Sequence, residues 1–289
     1  MDELDMIVGQ FGNNGGRIMA FKLFVMRGRP FVMELDDDPF SIHPTNAAYH
    51  AWDENVQRNV SQNLRLATAV TVTNNHLAQV VREHSDAPVH VLPNQIPAKI
   101  LDIPRPNNAK LMVGWAGSST HEHDIMAARQ PLSSFLRDVD VDVNIIGADY
   151  RHLFRIPQIT HTPWDYNMNA YYASLSKLDI GVIPLAASHF NRSKSDLKFI
   201  EMSGLGIPVV ASAQGPYRES IEHGVTGFLV EHDYEWKKYL RMLINDKELR
   251  EQMGINARNY ARTRTTEGNA HLWETAYQSV LKNVTFATG

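Results

Sequence analysis

The chain has 289 residues, of which 43% are hydrophobic and 21% are charged, and its formal net charge is −4. This is the composition of a globular protein with one large or two ordinary domains, and the charge argues against a polyanion as the main partner. The sequence contains no cysteine, which excludes disulfides and thiolate metal sites. No apolar run approaches the roughly 20 residues that cross a bilayer, and the acidic first residues do not resemble a signal peptide. We therefore expect a cytoplasmic protein with no integral membrane segment.

The first predicted elements form a strand, helix, strand unit. A short apolar strand at 6–8 precedes a loop rich in glycine and asparagine at 11–17, a helix at 18–26 and a strand at 31–35. The loop, which contains GNNGG, either cradles a phosphate or simply turns the chain.

Three carboxylates, Asp36, Asp37 and Asp38, directly follow the strand at 31–35. The carboxyl ends of parallel strands are where α/β proteins bind ligands. These side chains could therefore hold a metal or an acceptor hydroxyl, or one of them could act as a base. The alternative is a helix cap and a solvated turn. We take Asp37 as a candidate catalytic residue.

Apolar periodicity predicts that strands and helices continue to alternate along the rest of the chain. Before a proline-containing linker at 103–108, the predicted elements are a long helix at 46–67, a strand at 70–73, a helix at 75–84 and a strand at 89–92. After the linker they are strands at 111–115, 143–146, 159, 180–184, 207–212 and 228–230, and helices from 122, at 166–177, from 196, and at 217–223, 234–244, 247–262 and 266–280. We therefore expect α/β domains at 1–103 and 104–265 and a terminal helix within 266–289.

A loop of small residues follows the strand at 111–115. Backbone N–H groups of Gly117, Ser118 and Ser119 in such a loop could approach a diphosphate, because no bulky side chain separates them from it. We take these three residues as candidate ligand-binding positions.

Two histidines and an acid, His121, His123 and Asp124, come directly after this loop. Their spacing could belong to a zinc cluster, but the sequence offers no further convincing ligand. We favour a structural role for all three and predict no metal site.

The segment from Ser193 to Val230 reads as a phosphate-binding unit of helix, strand, helix and strand. Its first helix begins near Asp196, after the capping-type residues Ser193 and Ser195, and its amino end offers unpaired N–H groups and a positive dipole end. Asp196 suits that dipole but would compete with an anion. Glu201 lies one turn beyond Lys198, so both can face one ligand. The cations of this region are Arg192, Lys194 and Lys198.

This segment, SKSDLKFIEMSGLGIPVVASAQGPYRESIEHGVTGFLV, resembles the donor-binding signature of retaining GT-B glycosyltransferases, the large glycosyl transferases group 1 family. That family usually carries two glutamates separated by seven residues. Glu201 matches the second of these, whereas Ser193 stands at the first, a departure shared by branches that read KS-x-LKF-x-E. The departure affects the donor-sugar contacts and not the nucleotide site.

The resemblance implies two Rossmann-like domains that face a cleft, with the amino-terminal domain truncated, either as a natural minimal enzyme or as a fragment. It also implies that Glu201 binds the ribose hydroxyls and that Trp164 lies near the base, although Trp164 could instead close the domain core. The donor-binding residues are then expected to be Gly117, Ser118, Ser119, Trp164, Arg192, Ser193, Ser195, Asp196, Leu197 and Glu201.

The activity implied by the resemblance is transfer of a sugar, of the hexosyltransferase type, from a nucleotide-diphosphate donor to a hydroxyl. We expect retention of configuration, UDP or GDP as the nucleotide, and no metal or other cofactor. Lys194 and Lys198, together with Arg192, would stabilise the leaving diphosphate, unless Lys198 instead pairs with Asp196 or Glu201. The acceptor could be a glycan, lipid, protein or modified DNA. The alternatives are a non-catalytic nucleotide- or glycan-binding relative and a GT-B sugar-nucleotide epimerase.

Overall fold

The computed structural model describes residues 4–10, 15–44, 46 and 48–283. Most of the predicted glycine- and asparagine-rich loop, at 11–14, lies outside these residues, so its phosphate-binding alternative stays a prediction. None of the described helices combines the length and the apolar character that a bilayer crossing requires.

The amino-terminal part of the chain forms a four-stranded parallel sheet with the strand order β1-β2-β3-β4. Its central strands are almost fully buried, as expected where helices cover both faces of a parallel sheet. The elements are β1 (Ile7–Gln10), α1 (Gly15–Met26), β2 (Phe31–Leu35), α2 (Glu54–Leu66), β3 (Ala69–Val72), α3 (Asn75–Arg82) and β4 (Val89–Val91).

The rest of the chain forms a six-stranded parallel sheet with the order β10-β9-β8-β5-β6-β7. Its strands are β5 (Met112–Gly117), β6 (Asp142–Gly147), β7 (Ile159–Pro163), β8 (Ile180–Ile183), β9 (Val209–Ser212) and β10 (Phe228–Val230). Its helices are α4 (Glu122–Leu136), α5 (Met168–Leu175), α6 (His189–Arg192), α7 (Leu197–Gly204), α8 (Pro216–Ser220), α9 (Asp233–Asn245) and α10 (Lys247–Arg262), and α11 (Thr266–Asn283) ends the chain. Two parallel sheets with flanking helices confirm the predicted α/β architecture of two Rossmann-like domains.

The second sheet changes direction between β5 and β8. After β5 the chain adds β6 and β7 on one side, and β8 then returns to pair with the opposite edge of β5. In open α/β sheets such a switch point leaves a crevice beyond the carboxyl ends of the strands, where ligands bind. The loop after β5 and the amino end of α7 both lie at this crevice.

Each face of the second sheet has its own apolar core. Helices α4 and α9 cover one face, through residues such as Leu132 and Leu240, whereas α5, α7 and α10 cover the other, through residues such as Leu175 and Ile200. Helix α11 leaves this domain, and its Val280 packs on Val32 and Ala69 of the first sheet. The terminal helix thus joins the two domains through a small apolar contact.

The predicted helix at 46–67 is wrong in its first part. Only a short 3-10 turn forms at Tyr49–Ala51, and α2 begins at Glu54. Asp53 takes an extended backbone conformation, and its carboxylate accepts a hydrogen bond of 2.9 Å from the N–H of Val56. Because this is the geometry of an N-cap, the helix starts after Asp53 and does not run through it.

Candidate active site

A cleft of about 380 Å³ opens at the switch point of the second sheet and faces the first domain. The end of β5 and the amino end of α7 form one wall, and Asp36, Asp37 and Asn94 of the first domain form the other. Nine of the residues predicted for the site line this cleft: Asp37, Gly117, Ser118, Trp164, Lys194, Ser195, Leu197, Lys198 and Glu201.

Two glycines keep the floor of the cleft open. A Cβ atom on Gly117 would lie 2.5 Å from Cζ2 of Trp115 and 3.1 Å from Cε of Lys198, so only glycine lets the lysine stem cross this point. Gly147, at the end of β6, has a positive φ of 101°, and its Cβ would lie 2.3 Å from the carbonyl oxygen of Gly117. Backbone therefore forms the cleft surface beneath Lys198.

The ammonium of Lys198 is hydrogen-bonded to a neutral histidine. Its Nζ lies 2.9 Å from Nε2 of His121, and Nδ1 of the same ring lies 2.7 Å from Oδ2 of Asp124. An ammonium can only donate, so Nε2 accepts and the ring proton sits on Nδ1, which donates to Asp124. The other carboxylate oxygen of Asp124 accepts from the N–H of Ala186 and from Nδ2 of Asn191, at 3.0 and 2.7 Å. A fully hydrogen-bonded chain thus runs from the domain interior to Lys198.

Burial shifts the pKa values of both bases in this chain. Burial, and then the nearby Lys198 charge, lowers the pKa of His121 to about 4, so its ring is neutral at pH 7. Burial, and then the charge of Lys194, lowers the pKa of Lys198 to about 8, although the carboxylates of Glu201, Asp124 and Asp37 oppose that shift. Lys198 is therefore a desolvated cation whose pKa lies close to neutral pH.

Glu201 forms the second charged feature of this wall. It is only 6% exposed, and the hydroxyl of Tyr171 donates to its Oε2 over 3.1 Å. Burial raises the pKa of Glu201 to about 7, against the opposing effects of the Tyr171 hydrogen bond and the Lys198 charge. The ring of Trp164 lies 5.4 Å from that of Tyr171 and is 43% exposed, so it offers an aromatic surface at the cleft instead of filling the domain core.

On the opposite wall, the three aspartates that follow β2 differ in their partners and in whether they line the cleft. Both carboxylate oxygens of Asp37 lie 3.4 Å from Nζ of Lys194, which reaches across from the second domain. Asp38 is buried and caps its own turn, with Oδ1 accepting from the N–H of Phe40 at 2.8 Å. Asp36 lines the cleft, and burial followed by the Asp37 charge raises its pKa. Asp38 thus fits the structural alternative, whereas Asp36 and Asp37 face the cleft.

Four residues predicted to bind the donor do not line the cleft: Ser119, Arg192, Ser193 and Asp196. Arg192 is exposed, and its Nη2 lies 2.9 Å from Nδ1 of His189. The carboxylate of Asp196 is bound to Arg264 at 2.8 and 3.0 Å and to the hydroxyl of Ser220 at 2.6 Å. Because Asp196 has these partners, it holds the start of α11 to the start of α7 and does not compete with an anion in the cleft.

The buried backbone around Ser193 is held by the first domain. Ser193 is fully buried, and Nδ2 of Asn74 donates to its carbonyl oxygen at 2.7 Å and to that of Lys194 at 3.0 Å. The same Asn74 side chain caps α3 by accepting from the N–H of Leu77 at 2.8 Å. One residue of the first domain therefore fixes the path of the chain that carries Lys194.

The histidines considered for zinc have other contacts. His121 is hydrogen-bonded to Asp124 and Lys198, whereas His123 stacks on His43 of the first domain with ring centroids 4.2 Å apart. Among the parts of the chain that the structure describes, no three His, Asp or Glu side chains converge as a metal-binding group.

Sequence reasoning did not single out Tyr171 or Asn94 of the cleft, and it considered Asp36 only as one of the three acids after the strand and His121 only for zinc or a structural role. His121 and Asp36 adjoin predicted positions, and that adjacency was the signal that could have included them. Tyr171 and Asn94 carry no such local signal, because their roles depend on elements that meet only in the folded chain.

The arrangement resembles known structures of one fold, GT-B. A sucrose-phosphate synthase from Thermosynechococcus elongatus has 16% identity and a TM-score of 0.74, over 96% of this chain and 74% of that one. HepE from Anabaena, solved in complex with UDP-glucose, has 16% identity and a TM-score of 0.70, over 95% and 79% of the two chains. A glycosyltransferase from Rickettsia africae has 14% identity and a TM-score of 0.69, over 98% and 78%. At these identities the likeness shows the fold.

A family match covers the helices from α7 to α10. Residues 197–260, from α7 through most of α10, match the profile of the family glycosyl transferases group 1. The match confirms the resemblance to this family over that segment, and the structural neighbours show that the chain has the GT-B fold. No curated protein sequence matches the chain.

Proposed function

We propose that the chain transfers a sugar from a nucleoside-diphosphate donor to an acceptor hydroxyl, with retention of configuration and without a metal ion. The observation that carries this proposal is Lys198, a desolvated ammonium whose partner, His121, is neutral, above the bare glycine end of β5. Within the described residues, Lys198 has a neutral imidazole and no carboxylate at hydrogen-bond distance, and a desolvated cation in such a position favours an anionic ligand, which a diphosphate supplies.

The other cleft residues fit the remaining parts of such a donor. The Glu201 carboxylate, oriented by Tyr171, would accept hydrogen bonds from the ribose hydroxyls, and the exposed face of Trp164 would stack on the base. HepE, which shares this fold, was solved in complex with UDP-glucose, so UDP is the first nucleotide to examine and GDP the second. Ser195 and Leu197 line the cleft beside Lys198.

In the proposed reaction, the bond between the anomeric carbon and the diphosphate oxygen breaks, and its electron pair remains on the diphosphate. The acceptor oxygen attacks the same face, and its proton passes to the departing phosphate oxygen. Lys198 and Lys194 stabilise the negative charge that grows on the diphosphate, because preorganised cations stabilise that state more than the ground state. Arg192 does not line the cleft in this structure, so the proposal relies on the two lysines for this charge.

Ligand stabilisation and donor consumption test the proposal. UDP, GDP and ADP are compared by thermal unfolding, and at about 100 times Kd the matching nucleotide should raise the unfolding free energy by roughly 2.7 kcal/mol. The corresponding sugar nucleotides are then offered with glycan, lipid, protein and DNA acceptors, with and without a chelator. A nucleotide that stabilises without any donor turnover would indicate a binding protein, and conversion of donor to an isomeric sugar nucleotide an epimerase.

Two finer parts of the proposal have their own measurements. Proton NMR of the product reports whether the anomeric configuration of the donor is retained. Turnover that survives chelation supports a metal-independent reaction. The cytoplasmic location stays a prediction from the sequence, and fractionation of the producing cells checks it.

A further inference from the structure

Behind Lys198 lies a buried pair, His121 and Asp124, which the proposed reaction does not use. His121 is 7% exposed and Asp124 is 3% exposed, and they belong to the first turn of α4 and the residue before it. The edge of the His121 ring also meets Trp115, with centroids 6.1 Å apart. A histidine so firmly held, with its free lone pair directed at a lysine of the cleft, has a more specific task than filling space.

We propose that His121, oriented by Asp124, is a positioning residue that holds the Lys198 ammonium over the floor of the cleft for the donor diphosphate. This inference rests on the proposed function. His121 lies in the connection between β5 and α4, and it acts on the phosphate only by holding Lys198 of α7. His121 itself does not touch the donor.

The direction of each hydrogen bond carries the argument. The 2.7 Å contact between Asp124 Oδ2 and Nδ1 places the ring proton on Nδ1, because a carboxylate can only accept. Nε2 is then an acceptor, which suits an ammonium at 2.9 Å and would not suit a second N–H donor. Asp124 thus selects the tautomer that can hold Lys198, because a carboxylate that accepts from one ring nitrogen leaves the other nitrogen as an acceptor.

The charges around Lys198 explain why this acceptor matters. Burial and the neighbouring Lys194 lower the pKa of Lys198 to about 8, while Glu201, Asp124 and Asp37 act in the opposite direction. The hydrogen bond to a neutral imidazole favours the ammonium without neutralising it. Loss of that acceptor should lower the pKa further, so that a larger fraction of Lys198 is uncharged at neutral pH.

Two substitutions at His121 separate its two hydrogen bonds. In His121→Asn the amide lies near the former Nδ1 and retains a donor for Asp124, whereas in His121→Gln it lies near the former Nε2 and retains an acceptor for Lys198. Binding of UDP and GDP is measured by calorimetry from roughly pH 7 to 10, where the phosphate charge is nearly constant. We expect about tenfold weaker binding by His121→Asn than by His121→Gln, the size of one charge-assisted hydrogen bond.

The pH profile and a double-mutant cycle exclude a merely structural role. Affinity should fall as pH rises through about 8 in the unsubstituted protein, and the midpoint should lie about one pH unit lower in His121→Asn. In a Lys198→Met background, His121→Asn should cause no further loss, because the residue it acts through is gone. His152→Asn, at an exposed histidine outside the cleft, is the matched control.

Three outcomes would overturn the inference: equal affinities in the Asn and Gln variants, an unchanged pH midpoint, or losses that add in the double variant. If His121→Asn does not fold, the comparison is made between His121→Gln and the double variant His121→Gln/Lys198→Met. A positioning role requires that the pH midpoint of nucleotide binding seen in His121→Gln disappear in the double variant. If the unsubstituted protein binds no nucleoside diphosphate, the proposed function has failed, which is a different result from binding without coupling to His121.

Discussion

The two walls of the cleft hold their charges in different ways. On the wall formed by the second domain, Lys198 and Glu201 are each hydrogen-bonded to a neutral group, the His121 ring and the Tyr171 hydroxyl. At the opposite wall, Asp37 and Lys194 form an ion pair at 3.4 Å, and the Asp37 side chain is 38% exposed. A charge hydrogen-bonded to a neutral group still attracts a ligand of opposite charge strongly. In an ion pair, each charge offsets much of the other's attraction for a ligand.

For the proposed donor, this difference leads us to expect that the wall of the second domain contributes the larger part of binding. The buried charges there have pKa values shifted toward neutrality, which is common for groups at functional sites. The Asp37–Lys194 pair instead bridges two domains. It would open or rearrange when a ligand enters, because an ion pair with one half-exposed partner contributes only about 0 to 1 kcal/mol.

The largest expected effect is on turnover when the two lysines are compared. Lys198→Met should lower kcat by about a hundredfold to a thousandfold, the loss measured when one preorganised group at a developing charge is removed. Lys194→Met should lower kcat by about tenfold, because Asp37 already neutralises part of the Lys194 charge. Initial rates of donor consumption measure both.

The exposed Lys177→Met is the control for this comparison, because it removes an equal charge far from the cleft. Full activity in Lys198→Met would contradict the assignment of the diphosphate to α7. An equal loss in the two lysine variants would contradict the difference between the walls.

A smaller effect is expected for nucleotide binding at Glu201. Glu201→Gln keeps an acceptor for Tyr171 but removes the charge, so hydrogen bonds to the ribose should weaken by roughly 1.5 kcal/mol or more, about tenfold in Kd. Calorimetry with UDP and GDP measures this, with Glu222→Gln, an exposed glutamate, as the control. Unchanged affinity together with lowered stability would make Glu201 a structural residue instead.

The smallest effect is a pH dependence of stability that distinguishes the walls. Burial raises the pKa of Glu201 in the folded chain to about 7, so between pH 4.5 and 7 the folded state binds more protons than the unfolded state. The contribution of Glu201 to stability is therefore present at acidic pH and is lost as pH rises through about 7. Urea unfolding should therefore show a smaller decline over this pH range in Glu201→Gln than in the unsubstituted protein.

Asp37→Asn, on the opposite wall, provides the comparison for this last measurement. Its decline with pH should keep the Glu201 contribution, because the change leaves the buried Glu201 in place, and should differ from that of the unsubstituted protein only through Asp36, whose pKa the Asp37 charge helps to raise. Identical pH profiles for all three proteins would show that Glu201 is better solvated than its position in the structure indicates.

Several elements were predictable because their signal is local. The strands at Phe31–Leu35 and Phe228–Val230 and the helix at Lys247–Arg262 have the bounds that apolar periodicity predicts. The first part of the helix predicted at 46–67 is wrong because apolar side chains in a loop can imitate a helical stripe, whereas its second part is α2. There the extended backbone of Asp53, and not the stripe, decides where α2 starts.

The sequence by itself determined the α/β class, the alternation of elements and the position of the donor-side segment, since each depends on residues close together in the chain. It did not determine the partners of that segment. Tyr171 meets Glu201 from 30 residues away, and His121 meets Lys198 from 77 residues away. Asp196 and Arg192 lie in the same segment as Lys198, yet Asp196 pairs with Arg264, and Arg192 is exposed and contacts His189. Only the packing of separate elements decides which charges are buried together, and burial is what gives those charges their chemistry.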